Sequence, residues 1–226
     1  MAHHYSPKVP HDGLILAFDA ANPKCYPGSG TDIFDLSGRN NHGVLQNGAS
    51  YNSNDVGYIN LDGSDDRIAI TDNNGDFDFA GDNFSINIWI QQQTDTTYPH
   101  LYAFNDQYNF CLKAIRGGVT DEYRLYVYQG YAVMFENSYL DPGNWQMITL
   151  VRVDQVHYLY INGVETDRVT DSSGPKNITG STVYLGWGAG TEYTPQYRGP
   201  IYVYNRALTP LEVEHSFEAL RSRYGI

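Results

Sequence analysis

The sequence predicts an all-β protein: a two-sheet antiparallel sandwich closed by one C-terminal helix. Three observations predict it. Apolar and polar residues alternate with period 2 through most of the chain. Gly, Asn and Asp turn signals recur roughly every ten residues, the spacing of a β-sandwich. Helical spacing is confined to the last stretch.

The elements follow in order. "GLILAFDA", "HGVLQNGA", "YINLDG" and "RIAITD" read as short strands bounded by Gly, Asn and Asp. "NFSINIWI" places Phe84, Ile86, Ile88 and Ile90 on one face and Ser85, Asn87 and Trp89 on the other. "YRLYVYQ" alternates in the same way. "NWQMITLVRV" and "VHYLYIN" are separated by Asp154-Gln155, a hairpin. Asn162-Gly163 is a strong turn signal before "VETDRV". After the strand "YVYN", Thr209-Pro210-Leu211-Glu212 is a capping box with Pro at the first helical position. Leu208 and Val213 are placed as a hydrophobic staple. Val213, Phe217 and Leu220 make one apolar stripe that should lie on the sandwich.

With 226 residues, 41% of them hydrophobic, the chain can bury one sizeable core, and no repeat or linker divides it. Fourteen Lys and Arg against 26 Asp and Glu leave a net charge of −12, which repels nucleic-acid backbones and anionic membranes. No signal peptide is evident in "MAHHYSPKVPHDG", so cytoplasmic synthesis is expected. In that setting Cys25 and Cys111 read as two buried thiols rather than a disulfide.

The stretches at 13–48, 59–70, 83–90, 144–153, 159–165 and "YNRALTPLEVEHSFEALRSRYGI" at 204–226 carry a resemblance. In this order they resemble laminin-G-like, concanavalin A-like jelly-roll domains, particularly single-domain versions found in bacteriophage particles. The resemblance implies two antiparallel sheets packed face to face, often with a calcium ion at one end, and a closing helix after "YNRAL". Members serve as lectins, adhesins, carbohydrate modules and virion components. The expected layout is an N-terminal docking arm at 1–12 and a jelly-roll domain at 13–226.

Asp62, Asp65 and Asp66 put three carboxylates within five positions around a Gly turn, the oxygen-rich chemistry that Ca2+ takes. Asp19 joins them if the strands pair as the resemblance implies. Relatives often carry an acid just before the strand leading to "YNRAL", where this chain has Gly199-Pro200. Sugar sites pair a flat aromatic with polar groups, because a pyranose has an apolar face and a polar rim. "LGWGAGTEYTPQYRG" therefore makes Trp187, Glu192, Tyr193, Tyr197 and Arg198 the carbohydrate-binding candidates, in a Gly-rich loop setting. Trp145 reads as core.

Catalysis is not expected. Retaining glycosidases need two carboxyl groups about 5–5.5 Å apart, and no two Glu residues form such a pair on a strand. Gln155-Val156-His157 is similar to the Gln-x-His element of jelly-roll alginate lyases, but their arginine-rich partner strand is missing. The sequence thus points to a non-enzymatic phage virion surface protein, made in the bacterial cytoplasm. It would dock on capsid or tail proteins through its arm, form homo-oligomers and bind glycans. The alternative is a soluble calcium-dependent lectin.

Overall fold

The computed structural model describes residues 7–53, 56–79, 83–93, 100–104, 110–116, 123–128, 132–171, 182–188 and 193–226. Within them the period-2 alternation becomes two antiparallel sheets. The first sheet has the order β14 (Val164–Thr170), β13 (Val156–Ile161), β12 (Trp145–Val153), β7 (Phe84–Gln92), β16 (Pro195–Tyr204), β5 (Tyr58–Asp62) and β4 (Ser50–Asn52), and β1 (Leu14–Phe18) also pairs with β16. The second runs β11 (Ala132–Leu140), β10 (Tyr123–Tyr128), β9 (Phe110–Arg116), β8 (His100–Phe104), β15 (Thr182–Leu185), β6 (Arg67–Thr71), β3 (Gly43–Gln46) and β2 (Asp32–Ile33). The two predicted turns are both present. Val153 pairs with Val156 across Asp154-Gln155, and Ile161 pairs with Val164 across Asn162-Gly163. Asp154 and Asn162 carry the positive φ that such tight turns require.

Phe84, Ile86, Ile88 and Ile90 of β7 join Leu16, Ile59, Leu112, Leu150 and Val203 in the core between the sheets. The opposite face of β7 is also covered. Trp89 belongs to a second apolar cluster with Met147, Tyr204, Leu208, Val213 and Tyr224. This cluster lies under α1 (Pro210–Glu218) and the 3-10 turn Arg221–Tyr224 that follows it. The closing helix therefore exists because the first sheet is apolar on both faces. Each large side chain it helps to bury contributes about 1.5–3 kcal/mol.

The helix begins where the capping box predicts. Glu212 N–H donates to Thr209 Oγ1 at 3.3 Å, and Thr209 N–H donates to the Glu212 carboxylate at 2.8 Å. Arg206 forks onto the same carboxylate at 2.9 and 2.6 Å. Those hydrogen bonds hold the Glu212 carboxyl down at about 2.

Strand β16 is divided by Gly199-Pro200, where its register against β7 shifts. Residues 195–198 pair with β5, and residues 201–204 pair with β1. A Cβ on Gly199 would stand 2.6 Å from Tyr224 Oη and 2.8 Å from Trp89 Cβ. Glycine is required there so that the C-terminal turn can lie flat on β16.

The described part of the N-terminal arm packs on its own domain. Val9 contacts the second cluster, Tyr204 Oη donates to the Pro10 carbonyl at 3.2 Å, and Arg206 Nε donates to the Asp12 carbonyl at 2.9 Å. These contacts tie residues 9–12 to the strand and helix they cover. Cys25 and Cys111 are both buried and are not joined to each other. Burial pushes the Cys25 thiol up to about 12. Among the described residues no helix is long and apolar enough to cross a membrane.

Candidate functional site

The chain crosses from β15 to β16 at one end of the sandwich. There Trp187 and Tyr193 form an isolated antiparallel bridge, and their rings lie 6.4 Å apart. Tyr184 meets Trp187 edge-on at 4.5 Å. Arg67 lays its guanidinium over both rings, 4.8 Å from the Trp187 centroid and 5.2 Å from that of Tyr184. Alternation explains the grouping. Ile68 and Ile70 of β6 and Val183 and Leu185 of β15 turn into the core, so Arg67 and Tyr184 turn out. Gln46, the register partner of Arg67 on β3, accepts from Arg67 Nε at 2.6 Å. That bond fixes the guanidinium while its two terminal nitrogens make no hydrogen bond among the described residues.

Next to Arg67 is the acidic turn. Asp62, Asp65 and Asp66 bring one carboxylate oxygen each within 4.8 Å of one another. Ca2+ binds oxygens at about 2.3–2.6 Å, so one ion can bridge atoms at this separation. The turn is rigid. Gly63 has φ of +81°, and a Cβ there would strike the Pro195 ring at 2.4 Å. Ser64 N–H donates to Asp62 Oδ1 at 2.7 Å, and Asn47 Nδ2 donates to the Asp65 carbonyl at 2.9 Å.

Asp66 is 2% exposed. Its Oδ2 accepts from Asp62 N–H at 3.0 Å, while its Oδ1 is buried with no hydrogen-bond partner among the described residues. Burial pushes its carboxyl above the ordinary range, and the Asp62 and Asp65 charges add to the effect. An orphaned, desolvated carboxylate oxygen beside two more carboxylates fits a divalent cation.

Asp19 does not join this group. Its carboxylate is held by Arg223 at 2.8 and 2.9 Å, just past the Phe18–Ile201 pair, whereas Asp62 pairs with Pro195 further along β16. Tyr197 and Arg198 also part from Trp187. They are neighbours on strand β16 rather than in a loop, so they face opposite ways. Tyr197 stacks on Tyr58 at 4.5 Å on the helix-bearing side of the first sheet. Arg198 is 2% exposed and reaches between the sheets to the Leu101 carbonyl, where burial lowers its pKa to about 9. Glu192 lies outside the described residues. Arg67, Tyr184 and Gln46 were not singled out from the sequence, although alternation in "RIAITD" and "STVYLGW" puts the first two on the outer face.

His157 is 0% exposed on the core side of β13, and its ring nitrogens have no hydrogen-bond partner among the described residues. Gln155 sits in the exposed hairpin turn. The Gln-x-His element therefore presents no imidazole to a substrate.

Two eight-stranded antiparallel sheets, a helix on one outer face and an aromatic and acidic surface at one end define a jelly-roll of the lectin type. The chain belongs to the concanavalin A-like lectin/glucanases superfamily, whose laminin-G-type model matches residues 62–214. No curated protein matches the sequence. Among solved structures, it is similar to domain 4 of AbnA, an extracellular arabinanase from Geobacillus stearothermophilus solved with arabinotriose. That match has 17% identity, covers 89% of this chain and 96% of the other, and has a TM-score of 0.69. It is also similar to the binding domain of botulinum neurotoxin DC in complex with SialylT, at 14% identity, 93% and 52% coverage and a TM-score of 0.72. The binding domain of Paraclostridial Mosquitocidal Protein 1 matches at 17% identity, 90% and 51% coverage and a TM-score of 0.69. The chain spans about half the length of these two toxin domains. At such identities the likeness is one of fold.

Proposed function

We propose that the domain is a non-catalytic glycan-binding module, and that its site is the Trp187 surface beside the acidic turn. The observation that carries this reading is the guanidinium of Arg67, clamped by Gln46 over Tyr184 and Trp187 with two terminal nitrogens left to donate. Aromatic surface suits the apolar face of a sugar ring, and fixed donors beside it suit the hydroxyls on its rim. The arabinanase domain solved with arabinotriose and the toxin domain solved with SialylT have the same fold, which agrees with this reading.

Ca2+ held by Asp62, Asp65 and Asp66 would offset most of the turn's negative charge and fix its loop beside Arg67. Each copy would bind weakly, so gathering several copies would raise avidity by a factor of about 10²–10⁴. A homo-oligomer would gather them, and so would display on a bacteriophage particle, with the sugar site facing outward.

Bead-displayed protein is tested on a glycan panel with Ca2+ and with EDTA. Retention of at least one glycan that is lost in Trp187→Ala and weakens in EDTA is the expected result. Retention of every glycan unchanged by Trp187→Ala would remove the site. New reducing ends or unsaturated products from the panel would overturn the non-catalytic reading. Mass spectrometry of purified phage particles tests display, and particles lacking the chain would exclude it.

A further inference from the structure

The outer face of the first sheet carries a second feature, formed by other residues. Six rings touch in series across it. Tyr197 stacks on Tyr58 at 4.5 Å, Tyr58 meets Trp145 at 5.9 Å, and Trp145 meets Tyr224 at 4.6 Å. Tyr224 stacks on Trp89 at 4.3 Å, and Trp89 stacks on Phe217 at 5.8 Å. Trp89 and Tyr224 are buried, whereas Tyr197, Tyr58 and Trp145 are only half-buried. Where the ladder emerges, Trp145 walls an open cavity of about 420 Å³.

Tyr224, Gly225 and Ile226 also line it, and the other side chains of the wall are polar, each fixed at one end only. Gln91 Nε2 donates to the Gly143 carbonyl. Asn144 Nδ2 donates to Asp141 Oδ2 at 2.9 Å. Gln146 Oε1 accepts from Asp141 N–H at 2.7 Å, and Asn162 Oδ1 accepts from Met147 N–H at 2.9 Å. The second polar atom of each of these groups makes no hydrogen bond among the described residues. The residues lining the cavity therefore carry two fixed donors, Gln146 Nε2 and Asn162 Nδ2, the first on the core-facing side of β12. They also carry three fixed acceptors, Gln91 Oε1, Asn144 Oδ1 and Asp141 Oδ1.

We infer that the Trp145 cavity is a second binding site, one that takes a neutral sugar ring without a metal ion. The chemistry selects this ligand class. A hydroxyl both donates and accepts, so a ring bearing several hydroxyls can use donors and acceptors interleaved along one wall. The indole supplies the apolar face. A phosphate or carboxylate ligand would meet Asp141 and two free amide acceptors, which disfavour an anion. Because the amides are held before binding, little side-chain freedom is lost on association. Tyr58 and Tyr197 extend the aromatic surface over β5 and β16, so the site suits an oligosaccharide better than a single ring. The inference shares a ligand class with the Trp187 site but no residue, and it holds whether or not that site binds.

The experiment follows the three tryptophan indole N–H signals of the 15N-labelled chain, assigned with Trp145→Phe and Trp187→Phe. Arabinotriose, maltotriose, cellotriose and sialyllactose are titrated in EDTA. The expected result is a saturable shift of the Trp145 signal with at least one neutral sugar. Asn162→Asp keeps an oxygen that takes Met147 N–H and turns the free donor into a charged acceptor. It should weaken that affinity about tenfold and leave the melting temperature unchanged. No Trp145 shift with any sugar overturns the inference, as does an affinity indifferent to Asn162→Asp. A shift at Trp187 alone also overturns it, and leaves the first site standing.

Discussion

Arg223 and Asp19 form a two-pronged ion pair, with Arg223 Nη1 lying 2.8 and 2.9 Å from the two carboxylate oxygens. The pair joins the last turn of the chain to the end of its first strand. Arg206 ties the ends a second time, with Nε 3.0 Å from the Asp12 carboxylate and its other nitrogens on Glu212 at the start of the helix. The helix and the arm are thus fastened to the strands they cover, and the second apolar cluster depends on both.

Arg223→Ala should loosen that fastening. It leaves Asp19, whose side chain is 13% exposed, without its cation. The loss should be about 2 kcal/mol, which for a chain of this size lowers the melting temperature by about 4–8 °C. Thermal unfolding followed by circular dichroism checks it. A change of less than about 1 °C would mean that the pair is solvated and contributes nothing.

Gly199→Ala should act on the same layer from beneath. The added methyl meets Tyr224 Oη at 2.6 Å and Trp89 Cβ at 2.8 Å, so the C-terminal turn must lift. Overpacking of this kind costs about 1–3 kcal/mol. The double variant Gly199→Ala, Tyr224→Phe removes the closest atom and should recover part of the loss. Equal stability of the single and double variants would show that the methyl is accommodated elsewhere.

These contacts mark what the sequence could and could not show. Alternation in "NFSINIWI" sorts β7 correctly, and the capping box places the first turn of α1. The same period-2 rule applied to Tyr197 and Arg198 would have sent them to opposite faces. Only a reading of 187–198 as one loop groups them. Asp19 and Arg223 lie 204 positions apart, and no local pattern pairs residues across such a separation. The pairing follows from the order of strands in the sheet. Trp145 reads as core, and it does pack against the second cluster, but it opens β12 at the sheet's end, where the cover from Tyr224 is partial.

His157 sets a pH dependence. Burial, with Arg152 nearby, lowers its pKa from 6.5 to about 4. The unfolded chain therefore takes up a proton near pH 6.5, and the folded chain does so only near 4. Stability from this group is complete above pH 6.5 and is lost as pH falls toward 4. The total loss is about 3 kcal/mol, at about 1.4 kcal/mol per pH unit. Denaturant unfolding between pH 8 and pH 4.5 should show the decline, and His157→Leu should flatten it. A decline of the same slope in the variant would assign it to other groups.

Asp66 gives the opposite sign and a direct test of the cation. Its carboxyl is pushed above the ordinary range, so the buried charge costs stability as pH rises through the folded value and costs none at low pH. Asp66→Asn removes that charge and keeps an oxygen to accept from Asp62 N–H, so without metal it should be more stable than the parent at neutral pH. With Ca2+ the order should reverse. An ion bound only to the folded parent adds about 2.7 kcal/mol at a hundredfold excess over its Kd, while the variant lacks one carboxylate and gains little. Calorimetric melts of both proteins, in EDTA and in Ca2+, separate the two effects. A parent whose melting temperature ignores Ca2+ while Asp66→Asn is still the more stable would identify the turn as three crowded carboxylates with no ion to hold.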